Sequence, residues 1–284
     1  MIGAVEFLSG QPRLQRLYDN HHRFGDPGES FWDAAVRCLR LRLHGDLRGL
    51  AAVPRSGPLL VIANHPFGVV DGLVISHLVG QVRPDFKLLA HEAINRAPEV
   101  RGHLLPVAFD ETRRARLNNI ESCRHALRHL KDGGAVIIFP AGEVSTAARV
   151  FDCATDAPWK PFTTKLITSA EATVLPVFFE GQNSWLFHAS SKISPVLREA
   201  LLMNEVTRRI GAEIRLHVGQ PQSFETLRRL GEGQAMLDYL RRLTYDLPAQ
   251  RESDADDDSY GGIEDFMTGL GLADPLSSEA AVRP

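Results

Sequence analysis

No run in the 284-residue chain approaches the roughly 18 consecutive apolar residues that a membrane-spanning helix requires, so no transmembrane helix is expected. Met1 to Gly10 has neither the basic start nor the apolar stretch of a secretory signal. Cysteine is nearly absent: Cys38, Cys123 and Cys153 are odd in number, far apart, and form no C-x-x-C pair. That pattern argues against a disulfide framework or a cysteine zinc site, and for reduced thiols in a cytoplasmic protein. Several catalytic signatures are missing as well. There is no Gly-x-Ser-x-Gly nucleophile elbow, no Gly-x-x-x-x-Gly-Lys phosphate loop and no dinucleotide fingerprint. No basic-aromatic strip points to nucleic acid.

What is present has the texture of an ordinary globular protein, 44% hydrophobic and 24% charged, long enough for one full-sized core. The net charge of −3 hides two regions of opposite sign. Gln250 to Pro284 holds nine acidic residues and two arginines, a net −7, which leaves +4 on the other 249 residues. Only five of the 32 basic residues are lysine. Arginine's planar fork suits a phosphorylated ligand or an anionic membrane surface, although a solvated, charge-mixed exterior explains the same composition.

Ser30-Phe31-Trp32-Asp33 has the form of a capping box. Trp32, Ala35, Val36, Leu39 and Leu43 then share a helical face, after a shorter stripe of Leu14, Leu17 and Tyr18. The first 45 residues therefore read as a pair of basic amphipathic helices, lying in a membrane interface or packed on the core. From Gly57 onward, short apolar runs alternate with helical patterns. Strands are expected at Leu59–Ala63, Phe86–Ala90, His103–Val107, Ala135–Phe139, Thr173–Phe179 and Ile214–Val218. Helices are expected at Gly72–Gly80 and at Asn118–Lys131, the second with Ile120, Cys123, Leu127 and Leu130 in register. The alternation implies an α/β fold with a central mixed, mostly parallel sheet flanked by helices, over residues 1–249. Residues 250–284 are too acidic and apolar-poor to fold alone, and read as a mostly disordered tail in which Ile263, Phe266, Met267 and Leu270 form at most one short helix.

Three loops follow expected strands, where open α/β sheets bind ligands. The first runs Asn64-His65-Pro66-Phe67-Gly68-Val69-Val70-Asp71. A carboxylate one short loop from a histidine can fix its tautomer and stabilise its protonated form, or the pair can simply satisfy backbone groups. The second, Phe139-Pro140-Ala141-Gly142-Glu143-Val144-Ser145, offers a glycine that lets a ligand approach and a carboxylate acceptor, or a plain turn with a capping serine. The third is Val174-Leu175-Pro176-Val177 followed by Glu180-Gly181-Gln182-Asn183-Ser184, where the proline suggests an edge strand or a bulge. His125 and His129 have metal-like spacing but no third ligand, and read as a solvated helix face.

Taken in order, these blocks resemble the glycerol-phosphate and lysophospholipid acyltransferase superfamily, in particular a bacterial branch that carries the label hemolysin. The resemblance spans about Val5 to Pro248 and includes Pro54-Arg55-Ser56-Gly57-Pro58, Leu105-Pro106-Val107 and Gly219-Gln220-Pro221. Two spellings depart from the usual pattern: five residues rather than four separate His65 from Asp71, and Gly142-Glu143 is not followed directly by an arginine. The resemblance implies direct acyl transfer in a ternary complex, with no metal, no cofactor and no covalent intermediate. His65 would be the general base and Asp71 its orienting partner. Asn64, Gly68, Gly142 and Glu143 would shape the acceptor site, and Arg113, Arg114, Arg116 or Arg149 would replace the missing phosphate-binding arginine. The donor would be acyl-CoA or acyl-carrier protein and the acceptor a lyso-lipid, at the cytoplasmic face of the cell membrane. A lipid or thioester hydrolase and a non-enzymatic, membrane-binding hemolysin-like protein are the alternatives.

Overall fold

The computed structural model describes residues 10–26, 28–91, 97–108, 112–147, 152–190 and 195–249. Among the described residues two helices come first, α1 (Gln11–Phe24) and α2 (Phe31–Cys38), followed by strand β1 (Arg42–Asp46) and a short helix α3 (Arg48–Ala51). Then come β2 (Leu59–Ala63), α4 (Val69–Val82), β3 (Lys87–His91), a 3-10 turn, β4 (Leu104–Val107), α5 (Arg113–Lys131) and β5 (Ala135–Ile138). The rest comprises α6 (Phe162–Ala170), β6 (Thr173–Phe179), α7 (Trp185–Ser190), α8 (Pro195–Arg208), β7 (Glu213–Val218), α9 (Phe224–Leu230) and α10 (Gln234–Tyr245).

The seven strands form one sheet in the order β1-β7-β6-β2-β5-β3-β4. Every pairing is parallel except β6 with β7, so β1 and β7 run against the other five. Strand β2 lies at the centre and is fully buried, and for that reason it reads as an unbroken apolar run, not an alternating one. Its residues still divide by face. Leu59, Val61 and Ala63 join the cluster that includes α2 and α4, while Leu60 and Ile62 join the cluster beneath α5, α6 and α10. Both faces are thus covered, and the carboxyl ends of β2 and β5 open on the same rim.

The N-terminal helical pair is shorter than its apolar stripe suggests. Ser30 caps α2 by accepting the Asp33 N–H at 3.2 Å. The helix ends at Cys38, Arg40 adopts a left-handed φ of 51°, and Leu43 falls in β1 opposite Ile214 of β7. Trp32, Val36 and Leu39 are buried, with Leu14 and Leu17 packed against the same core, so this face is not a membrane surface. Asp33 also reaches across to α4, pairing with His77 at 2.5 Å and Gln81 at 3.1 Å.

Helix α5 starts five residues earlier than its apolar register indicates, capped by Thr112. It buries Ala115, Ser122, Ala126 and Leu130, whereas Ile120 and Leu117 face outward. Small residues face inward because α5 packs closely on β4, β5 and α6. Pro176 is interior, since β6 lies between β7 and β2. Val177 faces Val218, yet Val174 bridges Gln222, so two residues on β6 oppose three on the other side. The proline therefore marks a bulge, where a missing N–H is tolerated. The acidic tail and its four apolar positions lie outside the described residues.

Candidate active site

Asn64 follows β2 and fixes where the first loop leaves the sheet. Its side-chain oxygen accepts the Phe179 N–H at 2.7 Å and its nitrogen donates to the Phe179 carbonyl at 2.9 Å. The amide is thus engaged in extending the β2–β6 pairing and acts as a strut. Gly68 makes the turn at φ +75°, and a Cβ there would stand 2.6 Å from Leu202 Cδ1 of α8. Only glycine meets both demands.

That turn sets Asp71 in the first turn of α4, facing back to His65. Asp71 Oδ2 lies 3.0 Å from His65 Nδ1 and accepts the Phe67 and Gly68 N–H groups at 2.8 and 2.9 Å. The extra loop residue is thereby absorbed at Gly68. A carboxylate that accepts from Nδ1 assigns the ring proton there and leaves Nε2 as the basic nitrogen. Asp71 is fully buried, and its other oxygen has no partner among the described residues. Burial pushes its carboxyl above the ordinary range, an effect that His65 and the two N–H bonds only partly oppose. The His65 ring stacks on Phe139 with centroids 3.8 Å apart and planes 18° apart. Its side chain remains 16% exposed, so one edge stays open.

The second block forms the opposite wall. Gly142 turns at φ +73°, and Lys160 Nζ lies 2.5 Å from where its Cβ would stand, so the lysine lies across this turn. Glu143 is exposed, and the carboxylate paired with His65 is Asp71. Ser145 does not cap a helix. Its N–H donates to the His65 carbonyl at 2.8 Å and its hydroxyl donates to Asp156 at 2.5 Å. Asp156 also accepts the His65 backbone N–H at 3.1 Å, a role that no sequence spacing indicated.

The third block lines the rim beside Phe67. A Cβ on Gly181 would meet the Phe67 ring at 2.9 Å, Glu180 pairs with His217, and Ser184 bonds to Glu205. Arg113, Arg114 and Arg116 are exposed on the first turn of α5, which follows edge strand β4, three strands from β2. Arg149 lies outside the described residues. The arginine found beside the loop is Arg209, immediately after α8. Its guanidinium lies 3.7 Å from the Phe67 ring centroid and donates to the Gln182 carbonyl at 2.8 Å and to Asn183 Oδ1 at 3.3 Å. Its Nε is buried without a partner among the described residues. Burial lowers its pKa, while Glu205 and Asp71 pull it back up. Among the described residues no three His, Cys, Asp or Glu side chains gather as a metal site. His129 instead ties α5 to the Asp85 carbonyl at 2.6 Å.

Comparisons with known proteins bear on the family and the fold. The family model described as Acyltransferase matches residues 23–254. The chain is 22% identical to a lyso-glycine lipid O-acyltransferase of Phocaeicola vulgatus, with 78% of each chain covered. It also superposes on the crystal structure of the 1-acyl-sn-glycerophosphate (LPA) acyltransferase of Thermotoga maritima with a TM-score of 0.50. That match has 17% identity, covers 91% of this chain and 90% of the other, and carries the fold alone.

Proposed function

The chain belongs to the acyltransferase family, and from that premise we propose that it transfers a fatty acyl group from a thioester to a hydroxyl of a lyso-lipid, with His65 as general base. The observation that carries the reading is the buried Asp71 holding His65 Nδ1 while the ring keeps an exposed edge. Nε2 takes the proton of the acceptor hydroxyl as its oxygen attacks the thioester carbonyl. When the C–S bond breaks, the imidazolium returns that proton to the departing thiolate. Asp71 keeps the ring oriented and stabilises its charged form. This reading assigns Gly68, Gly142 and Glu143, on the two loops beside His65, to the acceptor site, with Asn64 tying the first loop to β6.

The lyso-lipid acceptor follows the name of the Phocaeicola relative. Arg209 supports an acceptor with an anionic head group, because its guanidinium lies over Phe67 of the catalytic loop. Such an acceptor resides in a lipid surface, so in this reading the protein works as a peripheral enzyme, placed on the inner, cytoplasmic face of the membrane. No helix among the described residues is long and apolar enough to cross a membrane. Trp185 and Leu186 on α7, 61% and 42% exposed, offer apolar contacts to that surface. Acyl-CoA and acyl-carrier protein both satisfy the chemistry as donors. Membership of an enzyme family sets aside the non-enzymatic hemolysin-like alternative.

The test is a panel of purified reactions followed by lipid mass spectrometry. Each donor is offered with glycerol 3-phosphate, lysophosphatidic acid, a lyso-glycine lipid and a neutral monoacylglycerol. Acylation of an anionic lyso-lipid is expected. Release of free fatty acid at the same rate with or without acceptor would establish the hydrolase instead.

A further inference from the structure

The antiparallel bridge between Thr146 and Thr155 brings their neighbours Ser145 and Asp156 together. Asp156 is 4% exposed and its carboxyl meets three donors. Oδ1 accepts the His65 N–H at 3.1 Å and the Ser145 hydroxyl at 2.5 Å, and Oδ2 accepts Trp159 Nε1–H at 2.8 Å. Ser145 returns to the same histidine by donating its N–H to the His65 carbonyl at 2.8 Å. Both backbone groups of His65 are therefore held by one two-residue unit. Asp156 is in turn fixed from α10: its N–H donates to the Tyr245 hydroxyl at 3.0 Å, and its carbonyl accepts from Arg241 Nη2 at 3.1 Å. Burial, followed by the nearby Asp156, pushes the Tyr245 phenol up to about 12, so it stays protonated.

We propose that Asp156 is a positioning residue for the acyl transfer, fixing the His65 backbone between the first and second loops. Asp71 faces the ring from α4, Arg209 lies over Phe67, Lys160 crosses the turn at Gly142, and Arg241 and Tyr245 back Asp156 from α10. Loss of the backbone anchor lets the ring drift, and a misplacement of about 1 Å costs roughly a hundredfold in rate.

The inference rests on the proposed role of His65, so its test has two independent readouts. In Asp156→Asn, kcat should fall roughly a hundredfold with KM little changed. The His65 ring resonances, read by NMR without turnover, should move and broaden as the ring loses its fixed position. If the ring shifts but the wild-type protein transfers no acyl group, the functional reading fails and the positioning role stands. A kcat near wild type, or a kcat loss with the ring resonances unmoved, overturns the proposal. Should Asp156→Asn not fold, Ser145→Ala is read in its place. A kcat loss of about tenfold at unchanged KM supports the proposal and a wild-type kcat refutes it.

Discussion

Asp71→Asn separates what the buried carboxylate does for the reaction from what it does for the fold. Asp71 Oδ2 accepts from His65 Nδ1, Phe67 N–H and Gly68 N–H, while Oδ1 is buried without a partner among the described residues. An asparagine that places its oxygen at the Oδ2 position keeps the two backbone bonds but puts its NH2 where nothing accepts. The flipped rotamer points NH2 at His65 and moves the ring proton to Nε2, which removes the base. In Ser-His-Asp enzymes such a tautomer change lowers kcat by about 10⁴, so a loss of roughly 10³–10⁴ is expected here, or about 4–5.5 kcal/mol in the barrier. Stability should respond in the other direction. Burial raises the Asp71 pKa, so the folded protein binds a proton more tightly than the unfolded chain. That contribution is fully present below the ordinary carboxylate pKa and is lost as pH rises through the raised one. Asparagine carries no such dependence, so the variant should gain thermal stability relative to wild type as pH rises from acidic to neutral. Melting curves from about pH 4 to 8 beside steady-state acyl transfer would test both halves. Transfer within about tenfold of wild type, or a stability difference that runs the opposite way with pH, would refute the reasoning.

Three further outcomes follow from the same geometry. Gly68→Val forces a β-branched residue to φ +75° against Leu202, and should cost about 1–3 kcal/mol and most of the activity, whereas Val69→Ile should be mild; urea melts and rates of the two variants check this. Removing residues 250–284 should leave turnover nearly unchanged and Tm within about 2 °C, because so acidic a segment contributes little apolar burial; a large fall in Tm would show that Ile263 to Leu270 docks. Trp185→Ala with Leu186→Ser should weaken flotation on anionic vesicles, while reversing Arg37, already paired with Glu29 at 2.6 Å, should not.

Much of this was legible in the sequence where local pattern and tertiary role coincide. β2 and β6 begin and end where their apolar runs do, because both lie inside the sheet and are covered on both faces. The His65–Asp71 pairing was legible because both residues belong to one short loop with a single glycine to absorb the extra residue. β1 was hidden because Arg-Leu-His-Gly-Asp at a sheet edge has one large apolar residue and no alternation, and its pairing is imposed by β7. The inward register of α5 was misjudged for a related reason. Close packing favours Ala115, Ser122 and Ala126, and the larger Leu117 and Ile120 are left outside. Asp156 and Arg209 lie 91 and 144 residues from His65, and neither belongs to a recognisable spelling. Contacts of that range are set by how the sheet closes, which residue spacing does not reveal.

The central claim, that His65 Nε2 accepts the proton of an acceptor hydroxyl during acyl transfer, is tested most directly by stoichiometry. Wild-type protein and folded His65→Ala would each be given a labelled acyl thioester and the lyso-lipid that serves best, and thioester consumed would be measured against acylated lipid formed. The account predicts one acylated lipid per thioester in the wild type, and a rate lower by about two to four orders of magnitude in His65→Ala at unchanged Tm. Acylated lipid formed by His65→Ala within tenfold of the wild-type rate would contradict it.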